Sequence, residues 1–368
     1  MTYLDHAATT PLREVARQAW LEASSYLNPG GQYASGRAAR RALEEAREQI
    51  AELLDCDRVE VIFTASGTEA DNLAVRGLFA ASDSRRIVCS PIEHPAVLET
   101  VRALDATLDW LPVGPDGVVS DTAPLAAPAA VACCMWANNE TGAIQPIERI
   151  IQAAGDTPVH VDAVQVIGHL PVSFRESGAT TLAASAHKFG GPRGVGLLLA
   201  RRSPAPRAVL TGGGQERGLR PGTVDVAGAV ATAAALAEAC EEMFDERVRL
   251  AALRDALRER ILATVDNVLV HTPADSLPGH LFLSFPGAEG DSLIMLFDSL
   301  GIECSTGSAC AHGVNRASEA LLAQGVSERD ARSALRFTLG RTTTPEDIDA
   351  VTAHVAQVVE RARLAGMA

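Results

Sequence analysis

Between residues 59 and 200 short apolar runs alternate with amphipathic stretches of helical length, and this rhythm restricts the chain more than any other feature. Residues 59–63, 86–89, 131–136, 159–162, 181–186 and 195–200 read as strands. Residues 69–80, 95–104 and 147–154 read as the helices between them. Strands separated by helices cannot pair as tight hairpins, so the expectation is an α/β fold with a mostly parallel sheet covered by helices. Such sheets take their ligands at the carboxyl ends of the strands. The residues just beyond each run are therefore where chemistry is to be sought.

On either side of this region the pattern changes. Thr10 followed by Pro11 has the form of a helix start, a hydroxyl cap and then proline, for a helix running to about residue 27. Asn28-Pro29-Gly30-Gly31 would break it. A second helix, 36–54, carries Leu43, Ala46, Ile50 and Leu53 on one face. Residues 226–263, free of proline, read as one or two long helices leading out of the α/β region. Shorter strands at 281–285 and 335–339 follow, and Thr344-Pro345-Glu346-Asp347 starts a last helix that runs to about 364. The expected division is an α/β domain over 12–245 and a smaller α+β domain from 1–11 and 246–368.

Composition narrows the function classes. The net charge of −14, with no basic tract, argues against nucleic acid as a partner. No apolar stretch is long enough to cross a membrane, and the first residues lack the form of an export signal. Seven cysteines without such a signal fit free thiols in a reducing compartment, so the expected location is cytoplasmic. There is no CxxC pair, and no metal site is expected.

Candidate chemistry clusters after the strands. Ser185-Ala186-His187-Lys188-Phe189-Gly190-Gly191-Pro192 places a lysine at the mouth of apolar strands, flanked by hydroxyl and imidazole groups. A desolvated lysine amine can form a Schiff base; a solvated lysine at a strand end is the plain alternative. Ser66-Gly67-Thr68 lies where a strand passes into a helix, the arrangement that cradles phosphate on free amides, although many such turns look alike. Asp162 at a strand end is either a helix cap or the counter-ion of a protonated ring nitrogen, with Gln165 three residues on. His94, before Pro95, is either a cap or a ring stacked over a planar cofactor and active in proton transfer. Asn138-Asn139-Glu140-Thr141-Gly142 is a turn or a site loop. Cys310 sits in a segment of small residues, where a thiol can become a nucleophile. Arg341 is either a surface residue or a bidentate clamp for a carboxylate. Phosphate, pyridinium, Schiff-base lysine and substrate carboxylate together describe pyridoxal 5'-phosphate with an amino acid.

These segments make the chain resemble the cysteine desulfurases, pyridoxal-phosphate enzymes of the aspartate-aminotransferase fold type. The most specific pieces are Tyr3-Leu4-Asp5-His6-Ala7-Ala8-Thr9-Thr10, Phe63-Thr64-Ala65-Ser66-Gly67-Thr68-Glu69-Ala70-Asp71-Asn72, Asn138-Asn139-Glu140, His160-Val161-Asp162-Ala163-Val164-Gln165, Ser185-Ala186-His187-Lys188, Gly212-Gly213-Gly214-Gln215-Glu216-Arg217-Gly218 and Ser305-Thr306-Gly307-Ser308-Ala309-Cys310. The resemblance implies a seven-stranded, mostly parallel sheet in the larger domain. It implies that Lys188 holds the cofactor, that Asp162 pairs with the pyridine nitrogen, and that Gln165 contacts the ring oxygen. It assigns phosphate contacts to Gly67, Thr68, Ser185 and His187, and a stacking and proton-transfer role to His94. Thr223 would reach the phosphate of a partner subunit, which implies a homodimer. Asn139 and Arg341 would hold the substrate carboxylate, and Cys310 would take the sulfur of L-cysteine as a persulfide, leaving L-alanine. The long segment 311–319 is similar to the subgroup that hands sulfur to an acceptor protein, for iron–sulfur cluster assembly or tRNA thiolation. Gln215, Tyr33 and His6 stand where many relatives have His, His and Asn. A selenocysteine lyase, or another lyase or aminotransferase on the same fold, is the nearest alternative. An iron–sulfur protein using Cys304 and Cys310 is weaker, since two cysteines cannot supply four ligands.

Overall fold

The computed structural model describes residues 1–307 and 317–366, so the expected nucleophile Cys310 lies outside the described residues. The chain opens with β1 (Thr2–Tyr3), then α1 (Glu14–Ala23) and α2 (Ala34–Leu53). The first helix is shorter than the Thr10-Pro11 pattern implies. Thr10 is occupied elsewhere: its N–H and its hydroxyl both donate to the carbonyl of His187, at 3.1 and 2.8 Å. The Arg13 N–H donates to Gly190 O at 2.9 Å. Docking of the N-terminal segment on the lysine stretch thus overrides the local cap signal. The second helix buries Ala39, Leu43, Ala46 and Ile50, the face its spacing implies.

β2 (Val61–Thr64), β3 (Arg86–Cys89), β4 (Thr107–Trp110), β5 (Val131–Cys133), β6 (Val159–Asp162), β7 (Thr181–Ser185) and β8 (Gly196–Ala200) form a seven-stranded sheet. Their order is β2-β8-β7-β6-β5-β3-β4. β8 runs antiparallel to both its neighbours, and every other pairing is parallel. The edge strand β4 escapes a search for apolar runs because Thr107 and Trp110 are exposed and Asp109 interrupts it. β5 is regular for only three residues, but Cys134 and Trp136 still donate to His160 and Asp162, at 3.1 and 2.8 Å, which keeps the register to the strand's end.

The helices α3 (Gly67–Ala81), α4 (Pro95–Arg102), α5 (Ile147–Ala154) and α6 (Phe174–Ser177) connect these strands. The long proline-free stretch is one helix, α7 (Val226–Thr264). Its first half packs Ala229, Ala235, Leu236 and Ala239 into the core beside the sheet. Its second half packs Leu250, Leu257 and Ile261 into a separate core. That second core is closed by β9 (Leu269–Val270), β10 (His280–Ser284), α8 (Gly290–Asp298), β11 (Ile302–Glu303), β12 (Ala334–Thr338) and α11 (Pro345–Gly366), while α9 (Glu319–Ala323) and α10 (Glu328–Arg332) pack Leu321 and Ala331 against Phe282 in a small cluster of their own. The strands β9, β10 and β12 make an antiparallel sheet, while β11 pairs with β1 in parallel. Leu4 accordingly packs with the second core, so the two ends of the chain meet there. No described helix is long and apolar enough to cross a membrane.

Candidate active site

The carboxyl ends of β2, β5, β6 and β7 open on a cavity of about 220 Å³ lined by Gly67, Thr68, Asp71, His94, Asn139 and Asp162, together with Gln165, Ser185, His187 and Lys188. Nine of these positions are sequence-predicted site residues; Asp71 is an addition. Segments spread over more than 120 residues converge there because each follows a strand of one sheet.

The wall at β2 is a helix N-terminus. Ser66 caps α3 by accepting from Glu69 N at 3.1 Å. The first-turn amides of such a helix have no acceptor within it and carry positive partial charge. Two glycines make the approach close. A Cβ on Gly67 would stand 2.8 Å from Val164 Cγ2, and one on Gly196, beneath the turn in β8, would stand 2.3 Å from the carbonyl carbon of Ser66. A phosphate fits this cradle on both charge and space.

The floor is acidic. Asp162 accepts from Val164 N at 2.9 Å through Oδ1, so it shapes a turn and faces the cavity as well. Burial, reinforced by nearby Asp71, pushes its pKa up to about 6. Asp71 lies one helical turn beyond Gly67 on the same face of α3, which its spacing of four residues announces. Burial pushes its pKa up to about 8. His160 bridges inward from it, with Nε2 3.1 Å from Asp71 Oδ1 and Nδ1 3.0 Å from Thr181 Oγ1. Glu93 is fixed by Met135 N at 2.5 Å, and burial raises its pKa well above the carboxylate range. A buried acid at Asp162 favours a positively charged ring atom in the cavity. His94 joins both readings of the sequence. Its Nδ1 caps α4 by accepting from Ala96 N at 3.1 Å, and its ring lines the cavity. Burial lowers its pKa, so the imidazole is held neutral.

Lys188 is part-buried at the end of a short 3₁₀ turn after β7. Its Nζ donates to the carbonyls of Ala7 and Ala8, the latter at 2.9 Å. Gln165 Nε2 donates to the same Ala7 carbonyl at 3.1 Å. His187 Nδ1 lies 3.1 Å from Thr9 Oγ1. Arg13 then ties the stretch to α7: its Nε donates to Phe189 O at 2.9 Å and its Nη1 reaches Glu238 and Glu242 at 2.7 and 2.6 Å. One compositional fact bears on all of this. Lys188 is the only lysine in the chain; the other basic side chains among the 32 are arginines. A Schiff base to a side-chain amine has no other place to form.

The remaining predicted residues lie apart. Arg341 is exposed and lines a second cavity, of about 50 Å³, that also touches Lys188, His6, Arg13 and His169. Thr223 is exposed and outside both cavities. Cys304, just past β11, is part-buried, and burial pushes its thiol up beyond the range of a reactive group. Three polar ties at the rim escape sequence reasoning because they join distant segments. Arg336 Nη1 donates to Asn139 O at 2.7 Å, its Nη2 to Asp5 Oδ1 at 2.6 Å, and Ser318 Oγ donates to Glu140. Among the described residues no cluster of His, Cys, Asp and Glu could hold a metal ion.

The aminotransferase class-V family profile matches residues 2–351. An IscS-like cysteine desulfurase of Mycobacterium tuberculosis is 45% identical over 387 aligned residues, which cover 100% of this chain and 98% of that protein. A solved NifS-like protein superposes with a TM-score of 0.91 at 33% identity, covering 98% of this chain and 100% of its own. A solved structure of SspA in complex with cysteine superposes with a TM-score of 0.79 at 27% identity, covering 94% of this chain and 100% of its own.

Proposed function

The chain belongs to the aminotransferase class-V family, and we propose from that premise how its residues divide the work of the site. It is a pyridoxal-phosphate-dependent cysteine desulfurase, which converts L-cysteine to L-alanine and passes the sulfur on. The observation that carries the assignment of roles is the meeting of the Gly67 cradle, the Asp162 carboxylate and the sole lysine in one cavity.

In this reading Gly67, Thr68, Ser185 and His187 hold the cofactor phosphate, Asp162 holds the ring nitrogen, Gln165 the ring oxygen, and Lys188 the aldehyde carbon. When bound, the cofactor supplies a sink for the electron pair released at the substrate Cα. Lys188 Nζ, which the carbonyls of Ala7 and Ala8 hold beside the cavity, would serve as the base for the Cα proton. His94, kept neutral by burial, stacks over the ring and accepts or returns a proton at the substrate. Asn139 and Arg341 orient the substrate carboxylate. Cys310, as thiolate, attacks the substrate sulfur. An S–S bond forms, the Cβ–S bond breaks with its electron pair left on the carbon side, and protonation of that carbon yields alanine. The persulfide on Cys310 is then the sulfur donor.

Two further roles follow from the same reading. The acceptor is a protein of iron–sulfur cluster assembly or tRNA thiolation, and the working unit is a cytoplasmic homodimer in which Thr223 completes the partner's phosphate site. The boundary between a larger domain over 12–245 and a smaller one from 1–11 and 246–368 falls within α7, between its two packing halves.

The test is a spectrum and a product assay with L-cysteine and a reducing thiol. The reading predicts a yellow protein that releases alanine without a keto acid, and a Cys310→Ser variant that keeps its colour and loses turnover. Alanine release that needs a keto acid, or full turnover by Cys310→Ser, contradicts it.

A further inference from the structure

Glu140 follows Asn139 in a turn wound around Asn138. Asn138 Oδ1 accepts from the backbone N–H groups of Glu140 and Thr141, each at 2.9 Å, and its Nδ2 donates to Ile92 O at 3.1 Å. The backbone of the turn is therefore fixed to the β3–α4 connection. The Glu140 side chain makes a different set of contacts. Ser318 Oγ donates to Glu140 Oε2, and the same hydroxyl caps α9 by accepting from Leu321 N at 3.1 Å. Gly307 lies beside the same carboxylate: a Cβ there would stand 3.0 Å from Glu140 Oε2 and 3.1 Å from Cγ. Gly307 also has φ +85°, so a side chain is doubly disfavoured. One carboxylate thus touches residues 307 and 318, and Cys310 lies between them in the sequence.

A second tie supports the first. Ser305 exchanges two backbone hydrogen bonds with Arg336, at 3.1 and 2.6 Å, and Gly307 N donates to Ser305 Oγ at 3.1 Å. The Arg336 guanidinium in turn donates to Asn139 O at 2.7 Å. Both described ends of the segment are fastened to the turn that carries Asn139, one through Glu140 and Arg336, the other through Glu140.

We propose that Glu140 is a positioning residue for sulfur transfer, its carboxylate holding both ends of the Cys310-bearing segment against the turn that presents Asn139 to the substrate. The proposal rests on Cys310 being the sulfur-accepting thiol. The physical reason is tethering. A group on a short segment meets its target at an effective concentration set by where the two ends are fixed. Displacing one end by an ångström or two lowers the rate without altering substrate binding.

The experiment compares Glu140→Ala, Glu140→Gln, Ser318→Ala and the Glu140→Ala/Ser318→Ala pair, all as cofactor-loaded protein. The expected result for Glu140→Ala is a kcat for alanine release lowered by about tenfold or more. KM for cysteine, cofactor content and the cofactor spectrum stay as in the unaltered protein. Glu140→Gln, which can still accept from Ser318, restores most of kcat. The double variant is no slower than Glu140→Ala, since both changes remove one contact. A kcat within twofold of the unaltered enzyme for Glu140→Ala overturns the proposal. If Glu140→Ala loses cofactor, Ser318→Ala decides: slowed kcat with intact spectrum supports the proposal, and unaltered kcat overturns it. Cys310→Ala separates the two readings. Its full activity would remove the underlying assignment of the thiol, whereas an inactive Cys310→Ala beside a fully active Glu140→Ala removes only the role of Glu140.

Discussion

Asp71 and Asp162 line the floor of the cleft, in or shortly after strands of one sheet, and both are buried, as is Glu93. At the rim, Arg336 joins Asp5 and Asn139 across 331 and 197 residues, and Glu140 joins Ser318 across 178. The floor is built by local folding against one sheet; the rim is built by closing two cores on each other. The chemistry divides in the same way. In the proposed division of roles, cofactor binding belongs to the floor and placement of the substrate carboxylate to the rim.

Replacements on the floor should cost most. Lys188→Ala leaves the chain without an ε-amine, and we expect no measurable alanine release, with the loss seen in a product assay. Turnover that survived would mean that the floor does not supply the proton acceptor. Asp162→Ala removes the carboxylate proposed to face the ring nitrogen. We expect kcat to fall by about a hundredfold or more, together with a shifted cofactor spectrum. A rim-sized effect there would erase the distinction between the two regions.

The rim predicts a loss of stability before a loss of chemistry. Arg336→Met leaves Asp5 without its guanidinium partner and unties Asn139, for an expected cost of about 3 kcal/mol in denaturant unfolding. A change below about 0.5 kcal/mol would show that the two cores are held together by apolar packing alone.

pH sharpens the contrast further. The folded-state pKa of Asp71, about 8, lies above its ordinary value of 3.8. The folded protein keeps a proton that the unfolded chain releases, so the stability tied to it is complete below pH 3.8 and is lost as pH climbs through about 8. Asp162, raised to about 6, contributes the same sign at lower pH. Cofactor-free Asp71→Asn should therefore lose less stability between pH 6 and 8 than the unaltered protein, measured by melting at a series of pH values. Equal slopes would show that Asp71 is ionised in the fold. The smallest expected effect is Ser66→Ala at the cap of α3, about 1 kcal/mol in the same unfolding assay.

The same division governs what the sequence discloses. Asp162 ends a strand, and Gly67 and Lys188 each follow one by three residues, so their convergence can be read from the α/β rhythm. Asp71 could be read as well, from its helical spacing to Gly67. The lone lysine is visible in the sequence and sits in the Ser185-Ala186-His187-Lys188 segment. The start of α1 is not visible, because Thr10 is claimed by the His187 carbonyl, 177 residues away. Arg336 sits inside an apolar strand with nothing local to mark it, and its partners are set by tertiary closure. The edge strand β4 is hidden because a half-exposed strand needs no apolar run.

The central claim is that the floor of this cleft binds pyridoxal phosphate through the chain's single ε-amine. Borohydride reduction of the loaded enzyme followed by peptide mapping tests it directly, because residues 1–368 contain no second ε-amine. The account predicts one phosphopyridoxyl group per chain, on the peptide containing Lys188. A label on any other peptide, or none at all, contradicts it.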